Sequence, residues 1–264
     1  MDQIEVHGLR IAYERAGSGP PLVLLHGFVG DGRSTWSSQI DSLSGEYTVV
    51  AWDAPGAGQS SDPPEWFRLP DYGDCLAAFV GALQLDRPHL VGLSFGGALA
   101  LELFRRHPNI PRTLVLASAY AGWSGSLDPK EVQERLRLSL ARADFQPGPF
   151  AESMIPSMFA GSVSEEAVDR FAASLRAFKP AGFRAMSLSS AEADLRDVLP
   201  RINVPTLLLY GGDDVRAPLP VARALHFAIP GSRLVVMPGV GHVSSVEAPA
   251  LLNRIVRNFL RTAG

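Results

Sequence analysis

The feature that most constrains the fold is a series of six short apolar segments, rich in valine and leucine, spread along the 264-residue chain. They show none of the polar alternation of a half-exposed strand, and they read PLVLLHG from Pro21, YTVVAWD from Tyr47, HLVGLS from His89, TLVLASA from Thr113, PTLLLYG from Pro205 and RLVVMPG from Arg233. Near-continuous apolar strands are typical of a parallel sheet that is covered on both faces. Before them, IEVHGLRIAYERAG predicts an antiparallel hairpin that turns near His7 and Gly8.

Segments with helical periodicity lie between these runs. In DYGDCLAAFVGALQL, four apolar side chains share one face, namely Leu76, Phe79, Val80 and Leu83, and PALLNRIVRNFLRT near the C-terminus shows a similar face. Strands that alternate with helices predict an α/β fold, with a doubly wound, mostly parallel central sheet flanked by helices. With 46% hydrophobic residues, a chain of this length can bury one sizeable core.

The alternation stops between about Trp123 and Pro200. There the chain shows consecutive helical segments: DPKEVQERLRLSLARADF, PFAESMIPSMFA, SEEAVDRFAASLRAF and FRAMSLSSAEADLRDVL. We predict that residues 123–200 form a helical cap inserted over the carboxyl edge of the sheet, and that residues 1–122 and 201–264 form the core domain.

The segment PHLVGLSFGGALA carries a serine at the junction of a predicted strand and a predicted helix. A side chain that protrudes above the sheet there needs a sharp turn, and Gly92 and Gly96 remove the Cβ atoms that would collide in it. Because ligands bind outside the carboxyl ends of the strands, Ser94 is a candidate nucleophile. The alternative is a serine that caps a helix beside unrelated glycines.

A serine hydroxyl needs a base, and the base needs an orienting group. His242, in PGVGHVSSVEAP after the last apolar run, is the histidine best placed for the first role, although a lone loop histidine is often a surface residue. Asp214, in LLLYGGDDVRAP, is the candidate acid, and its neighbour Asp213 can instead solvate or cap the loop. All three candidates follow strands, in the order serine, aspartate, histidine.

With these motifs the chain resembles the α/β-hydrolase family along nearly its whole length. GLSFGG resembles the nucleophile elbow, LLHGFVG the oxyanion loop, WDAPGAGQS a structural turn of the family, GVGH with VEAP its histidine loop, and PTLLLYGGDDVRAP its acid loop. In that acid loop a glycine precedes the acid by three residues and a proline follows it by four, and Gly211 and Pro218 therefore favour Asp214 over Asp213.

The resemblance implies a serine hydrolase that cleaves a small carboxylic ester or lactone through an acyl-enzyme, with Ser94, His242 and Asp214 as the catalytic triad. The oxyanion hole would be formed by the backbone amides of Phe28 and Phe95, and His26 would shape the loop rather than react. Serine at 94 argues against the carboxylate-nucleophile branches of the family. Thioesterase, carbon–carbon bond hydrolase, and non-hydrolytic lyase, oxygenase or ligand-binding activities stay open.

Loop and cap side chains are the candidate walls of the substrate pocket: Val29, Trp123, Met154, Met158, Phe159, Met186 and Val243, beside the two phenylalanines. For any one cap residue, packing on the sheet is favoured over contact with the substrate. Arg216 can meet a substrate carboxylate or be a solvated loop charge, and the second is our expectation.

Composition and charge limit the kinds of partner that this chain is expected to bind. The formal net charge of −3 argues against nucleic acid or an anionic membrane. A single cysteine, Cys75, allows no internal disulfide, and the polar N-terminus does not resemble a signal peptide. We therefore expect a cytoplasmic monomer or homodimer that acts on a small-molecule ester or lactone without a cofactor or a metal ion.

Overall fold

The computed structural model describes residues 1–161 and 163–263, and within them eight strands form one sheet. The strands are β1 (Asp2–Val6), β2 (Leu9–Ala16), β3 (Pro21–Leu25), β4 (Thr48–Trp52), β5 (His89–Leu93), β6 (Thr113–Ala117), β7 (Thr206–Gly211) and β8 (Arg233–Met237). Their order across the sheet is β1-β2-β4-β3-β5-β6-β7-β8. The sheet is antiparallel at the β1–β2–β4 end and parallel from β4 to β8, which confirms the predicted α/β architecture.

Five of the six apolar segments form central strands because both faces of the sheet are covered there, and the sixth forms the edge strand β8. β4, β5, β6 and β7 are buried along their whole length. β8, at the edge, keeps only Met237 buried. The parallel strands β3, β5, β6 and β7 carry their carboxyl ends to one edge, so the loops that follow them meet there.

Ten α-helices are described: α1 (Gly32–Leu43), α2 (Leu69–Ala82), α3 (Phe95–Arg106), α4 (Pro129–Arg142), α5 (Pro147–Met154), α6 (Glu165–Arg176), α7 (Pro180–Glu192), α8 (Leu219–Ala228), α9 (Ser244–Glu247) and α10 (Pro249–Ala263). The fourth helical segment predicted after Trp123 extends too far, because α7 ends at Glu192. The next stretch turns back along the loop after β6, where the Ala193 carbonyl accepts from Gly125 and the Leu195 amide donates to Ala121.

Helices α4 to α7 lie between β6 and β7 in the chain and pack on the loops at the carboxyl edge. The Val243 amide donates to the Met158 carbonyl. Gly56 and Gly182 touch backbone to backbone, since a Cβ built on Gly182 would lie 2.0 Å from the Gly56 carbonyl oxygen. The helical segment therefore contacts the loops that follow β4 and β8.

Candidate active site

Ser94 lies on a sharp turn between β5 and α3. Its φ of +54° is in the left-handed region, which costs energy for a residue with a side chain. A Cβ on Gly92 would lie 2.2 Å from the Gly96 carbonyl oxygen, and a Cβ on Gly96 would lie 2.2 Å from that of Leu25. The glycines therefore let the incoming strand, the outgoing helix and the loop after β3 approach closely enough to present Ser94 at the edge.

His242 and Asp214 are buried together beyond the ends of β8 and β7. The Nδ1 atom of His242 lies 2.9 Å from Oδ2 and 3.1 Å from Oδ1 of Asp214. Oδ1 also accepts the backbone amides of Arg216 at 2.8 Å and Ala217 at 2.9 Å, which fixes the carboxylate. With Nδ1–H held by Asp214, the Nε2 atom of His242 is the nitrogen left for another partner.

The electrostatics keep the Asp214 carboxylate charged. Burial by itself raises the pKa of Asp214, but the charge and hydrogen bond of His242 and the amide of Ala217 lower it below its ordinary value overall. Asp213 is exposed, and its backbone amide donates to the Val240 carbonyl. The structure thus brings Asp214, and not Asp213, to the histidine.

Ser94 and His242 line the same enclosed cavity, whose free volume is about 10 Å³. The described residues contain no hydrogen bond between the Ser94 hydroxyl and His242. Catalytic hydrogen bonds are often long in unliganded enzymes and tighten when substrate binds. The remaining walls are Gly27, Phe28, Val29, Leu93, Met158, Phe171 and Val243. Phe171, on α6, is a wall that sequence reasoning missed, because nothing in its local pattern distinguishes it from an ordinary buried helix residue.

Two backbone amides near Ser94 have no acceptor among the described residues. Neither the Phe28 amide, in the loop after β3, nor the Phe95 amide, at the first residue of α3, donates a hydrogen bond within the described chain. The loop is held by His26, whose Nδ1 lies 2.6 Å from the Gly27 carbonyl oxygen and whose Nε2 accepts the Ala54 amide at 2.9 Å. His26 is thereby a neutral, buried structural histidine, and burial lowers its pKa.

The other predicted pocket residues, Trp123, Met154, Phe159 and Met186, do not line the cavity at Ser94. Met186 lines a second cavity of about 250 Å³, which shares Phe28 and Val29 with the first. Trp123 packs edge-to-face on Phe28 at 6.1 Å and lines a third cavity. Met154 is buried in the core, and Phe159 packs on Phe171 at 5.6 Å.

Arg216 is not the solvated loop charge that we expected. Its Nη1 donates to the Ser157 hydroxyl at 2.9 Å, its guanidinium carbon lies 5.5 Å from the centre of the Phe28 ring, and its Nε is buried. The expectation was wrong because the helices after β6 fold over this loop, which local sequence does not reveal.

Glu247, on α9, connects the histidine loop to the helical segment. Its Oε1 accepts the amides of Ala160, at 3.0 Å, and Gly161, while its Oε2 accepts the amide of Gly241 at 2.7 Å. Since Gly241 directly precedes His242, this carboxylate sets the path of the loop that carries the imidazole. The VEAP motif contains this residue, but its spacing gave no sign of the contact across 86 residues.

Within residues 1–161 and 163–263, no group of three or more histidine, cysteine, aspartate or glutamate side chains is arranged to hold a metal ion. None of the helices in that part of the chain is both long enough and apolar enough to cross a membrane.

Comparison with known proteins extends these observations. Residues 22–255 match the model of the Alpha/beta hydrolase family. The mouse serine hydrolase BPHL is 28% identical over 274 residues, which cover 98% of this chain and 86% of that protein.

Two solved structures show how closely the fold is shared. A thermophilic esterase from Thermogutta terrifontis superposes with a TM-score of 0.89 at 28% identity, over 100% of this chain and 99% of that one. The enol-lactonase from Burkholderia xenovorans LB400 superposes with a TM-score of 0.87 at 23% identity, over 98% of this chain and 100% of that one, and shows likeness of fold.

Proposed function

The chain belongs to the alpha/beta hydrolase family, and we propose that it is a serine hydrolase that cleaves a small carboxylic ester or lactone through an acyl-enzyme. One observation carries the proposal: Ser94 and an imidazole already bonded to Asp214 line a single cavity. The likeness to an esterase structure at a TM-score of 0.89 supports the choice of ester substrates.

In the first half of the reaction, the Ser94 oxygen attacks the carbonyl carbon while Nε2 of His242 takes the hydroxyl proton. Asp214 holds the imidazole tautomer and stabilises the imidazolium that forms. The oxyanion is bound by the amides of Phe28 and Phe95, which have no other acceptor in the described residues. One such donor contributes on the order of 3 kcal/mol of transition-state stabilisation.

In the second half, the imidazolium gives its proton to the departing alcohol oxygen, and the carbonyl re-forms as an ester of Ser94. Water then attacks that ester, with His242 as the base, and the acid leaves as Ser94 regains its proton. A lactone follows the same steps, except that its alcohol stays joined to the acyl chain.

We further propose that residues 123–200 act as a cap. The cavity at Ser94 holds about one water molecule, so an acyl group can enter only when Phe28, Met158 or Phe171 moves. Met158 and Phe171 belong to the helical segment, and a shift of that segment opens the cavity towards the larger one beside Met186. We also propose that the enzyme works in the cytoplasm, as a monomer or homodimer and without a cofactor.

The test is a panel of p-nitrophenyl esters, lactones and thioesters of varied chain length, each measured with the wild type and with Ser94→Ala. We expect turnover of short esters or lactones, and a loss of at least about 10³-fold on removal of the nucleophile. Turnover restricted to thioesters would move the assignment to a thioesterase. An unchanged rate in Ser94→Ala would remove the acyl-enzyme mechanism altogether.

A further inference from the structure

A cavity of about 230 Å³ adjoins the candidate active site and carries unusual charge. Three arginines line it, Arg135, Arg142 and Arg216, together with Ser139 and Ser157. Trp123, Leu138 and Val215 complete the lining, so no carboxylate faces the space. The cavity is called the arginine pocket below.

Phe28 connects the arginine pocket to the cavity that holds Ser94 and His242. It lines the catalytic cavity, and the guanidinium of Arg216, from the arginine pocket, lies 5.5 Å from its ring centre. Trp123, from the arginine pocket, packs on the edge of the same ring. A second connection runs along the chain, because Ser157 of the arginine pocket directly precedes Met158 of the catalytic cavity.

The positive charge is only partly compensated. Arg135 pairs with Glu131 at 2.6 Å and donates to the Tyr120 hydroxyl. Arg142, the last residue of α4, is half-buried and forms no ion pair within the described part of the chain. The Nε of Arg216 is buried without a hydrogen-bond partner there, although an arginine nitrogen normally finds one.

Arg216 nevertheless stays charged. Burial lowers the pKa of Arg216 to about 10, and the repulsion of Arg135 and Arg142 adds to this effect. The attraction of Tyr120 and Asp214 opposes it. The guanidinium is therefore a cation at neutral pH. Asp214 is already committed to His242. An incoming anion would therefore relieve a repulsion that this part of the protein otherwise bears.

We propose that the arginine pocket binds a carboxylate of the substrate, so that the preferred substrates are esters or lactones that carry a free carboxylate. This rests on the proposed function and names its substrate class. The planar guanidinium fork suits a carboxylate, and charge-assisted hydrogen bonds of this kind are shorter and stronger than neutral ones. Phe28 and Trp123 would pack on the apolar stretch that joins the carboxylate to the reacting carbonyl.

Paired esters test the proposal. On the acyl side, p-nitrophenyl glutarate carries a free carboxylate, and p-nitrophenyl pentanoate is its neutral partner. On the alcohol side, 3-acetoxybenzoate is compared with phenyl acetate. The wild type should favour the anionic member of at least one pair, and Arg142→Gln should lower the anionic-to-neutral ratio of kcat/KM in that pair by about tenfold.

Two further substitutions separate charge from packing. Arg142→Lys should restore part of the ratio, and Arg142→Glu should push it below that of Arg142→Gln. Arg137→Gln is the matched control, since Arg137 is on the same helix, is 66% exposed and pairs with Glu134. It should behave as the wild type. An equal ratio in the wild type and Arg142→Gln for both pairs, or an equal fall for anionic and neutral members, would overturn the subsite.

Binding without turnover separates this proposal from the catalytic one. Calorimetry on Ser94→Ala should show that monomethyl glutarate binds more tightly than dimethyl glutarate. Adding Arg142→Gln should lower the ratio of the two affinities at least fivefold. If this preference is found while no ester is turned over, the subsite stands and the proposed hydrolysis fails. If turnover is found with no preference in either experiment, the hydrolysis stands and the subsite fails.

Discussion

Two neighbouring aspartates, Asp213 and Asp214, are candidates for the carboxylate that orients His242. Asp214 is buried and bonded to Nδ1, whereas Asp213 is exposed and contributes its backbone amide to the loop. In the triad mechanism the acid keeps the imidazole in the tautomer whose Nε2 can accept the serine proton. The two aspartates therefore allow a matched test in one loop.

We expect Asp214→Asn to lower kcat by about 10³-fold or more, because an amide that donates to Nδ1 stabilises the wrong tautomer. Asp213→Asn should change kcat by less than about threefold. The comparison needs steady-state kinetics on a single ester, with circular dichroism to show that both variants are folded. A larger loss at 213 than at 214 would contradict the assignment of the acid.

Among the structural elements, the turn between β5 and α3 tolerates little change. A Cβ at Gly96 would lie 2.2 Å from the Leu25 carbonyl oxygen and 2.7 Å from that of His26, both of which are backbone atoms. We expect Gly96→Ala to lower the free energy of unfolding by about 3 kcal/mol, since neither strand nor loop can move without disturbing the sheet.

The control for that substitution is Gly81→Ala. Gly81 lies in α2, where a Cβ would have no neighbouring atom within 4 Å, and alanine is the better helix former by about 1 kcal/mol. Urea denaturation should show destabilisation at position 96 and slight stabilisation at position 81. Two variants of equal stability would contradict the close approach at the elbow.

The short helix α9 also acts at a distance, through Glu247. In Glu247→Gln an amide NH₂ group replaces one of the two carboxylate oxygens. If it replaces Oε1, the amides of Ala160 and Gly161 lose their acceptor, and if it replaces Oε2, the amide of Gly241 does. We expect kcat/KM to fall about tenfold, because a small displacement of the neighbouring His242 weakens proton transfer.

Glu134→Gln, at an exposed position of α4, should leave kcat/KM unchanged. If Glu247→Gln keeps the wild-type kcat/KM within about twofold, the carboxylate does not position the histidine loop. Thermal denaturation of both variants separates a local effect from loss of the fold.

How far the elements follow from sequence depends on where their apolar residues fall. The central strands were predictable because their apolar runs have no polar interruption. Helix α1 does not follow from the sequence pattern, because its buried face includes Ser34, Thr35 and Gln39. The side-chain amide of Gln39 donates to Oδ1 of Asn253, on α10, at 2.8 Å. Those buried polar residues dilute the helical pattern.

The residues of the candidate site also fall into two groups, those that the sequence predicts and those that it does not. Ser94, Asp214 and His242 follow strands, and the parallel sheet brings the loops after such strands to one edge. The walls supplied by residues 123–200 depend on how the helices pack over that edge. Phe171 and the half-buried position of Arg216, with its buried Nε, were missed for that reason.

For the molecule as a whole, one buried histidine, His89, makes stability depend on pH. His89 is buried at the start of β5, and burial, with a smaller contribution from Arg112, lowers its pKa to about 4. In the unfolded chain it would titrate near 6.5. The unfolded state therefore binds a proton first as pH falls, and the folded state loses stability between about pH 6.5 and pH 4.

We expect this histidine to contribute a loss of about 2 kcal/mol over that range, less than the full shift because part of the charge would reach solvent. His89→Gln should show a shallower decline in urea denaturation between pH 6.5 and pH 4, even if it is less stable at pH 7. His7→Asn, at the exposed hairpin turn, should keep the wild-type slope. Equal slopes in all three proteins would contradict the burial argument.

The most direct test of the central claim is to treat the folded protein with a fluorophosphonate and locate the adduct by mass spectrometry. A nucleophilic serine activated by His242 should take up one phosphonyl group, mapped to the peptide that contains Ser94 and absent from Ser94→Ala. An unmodified wild type, or a phosphonyl group on another residue, would contradict the account.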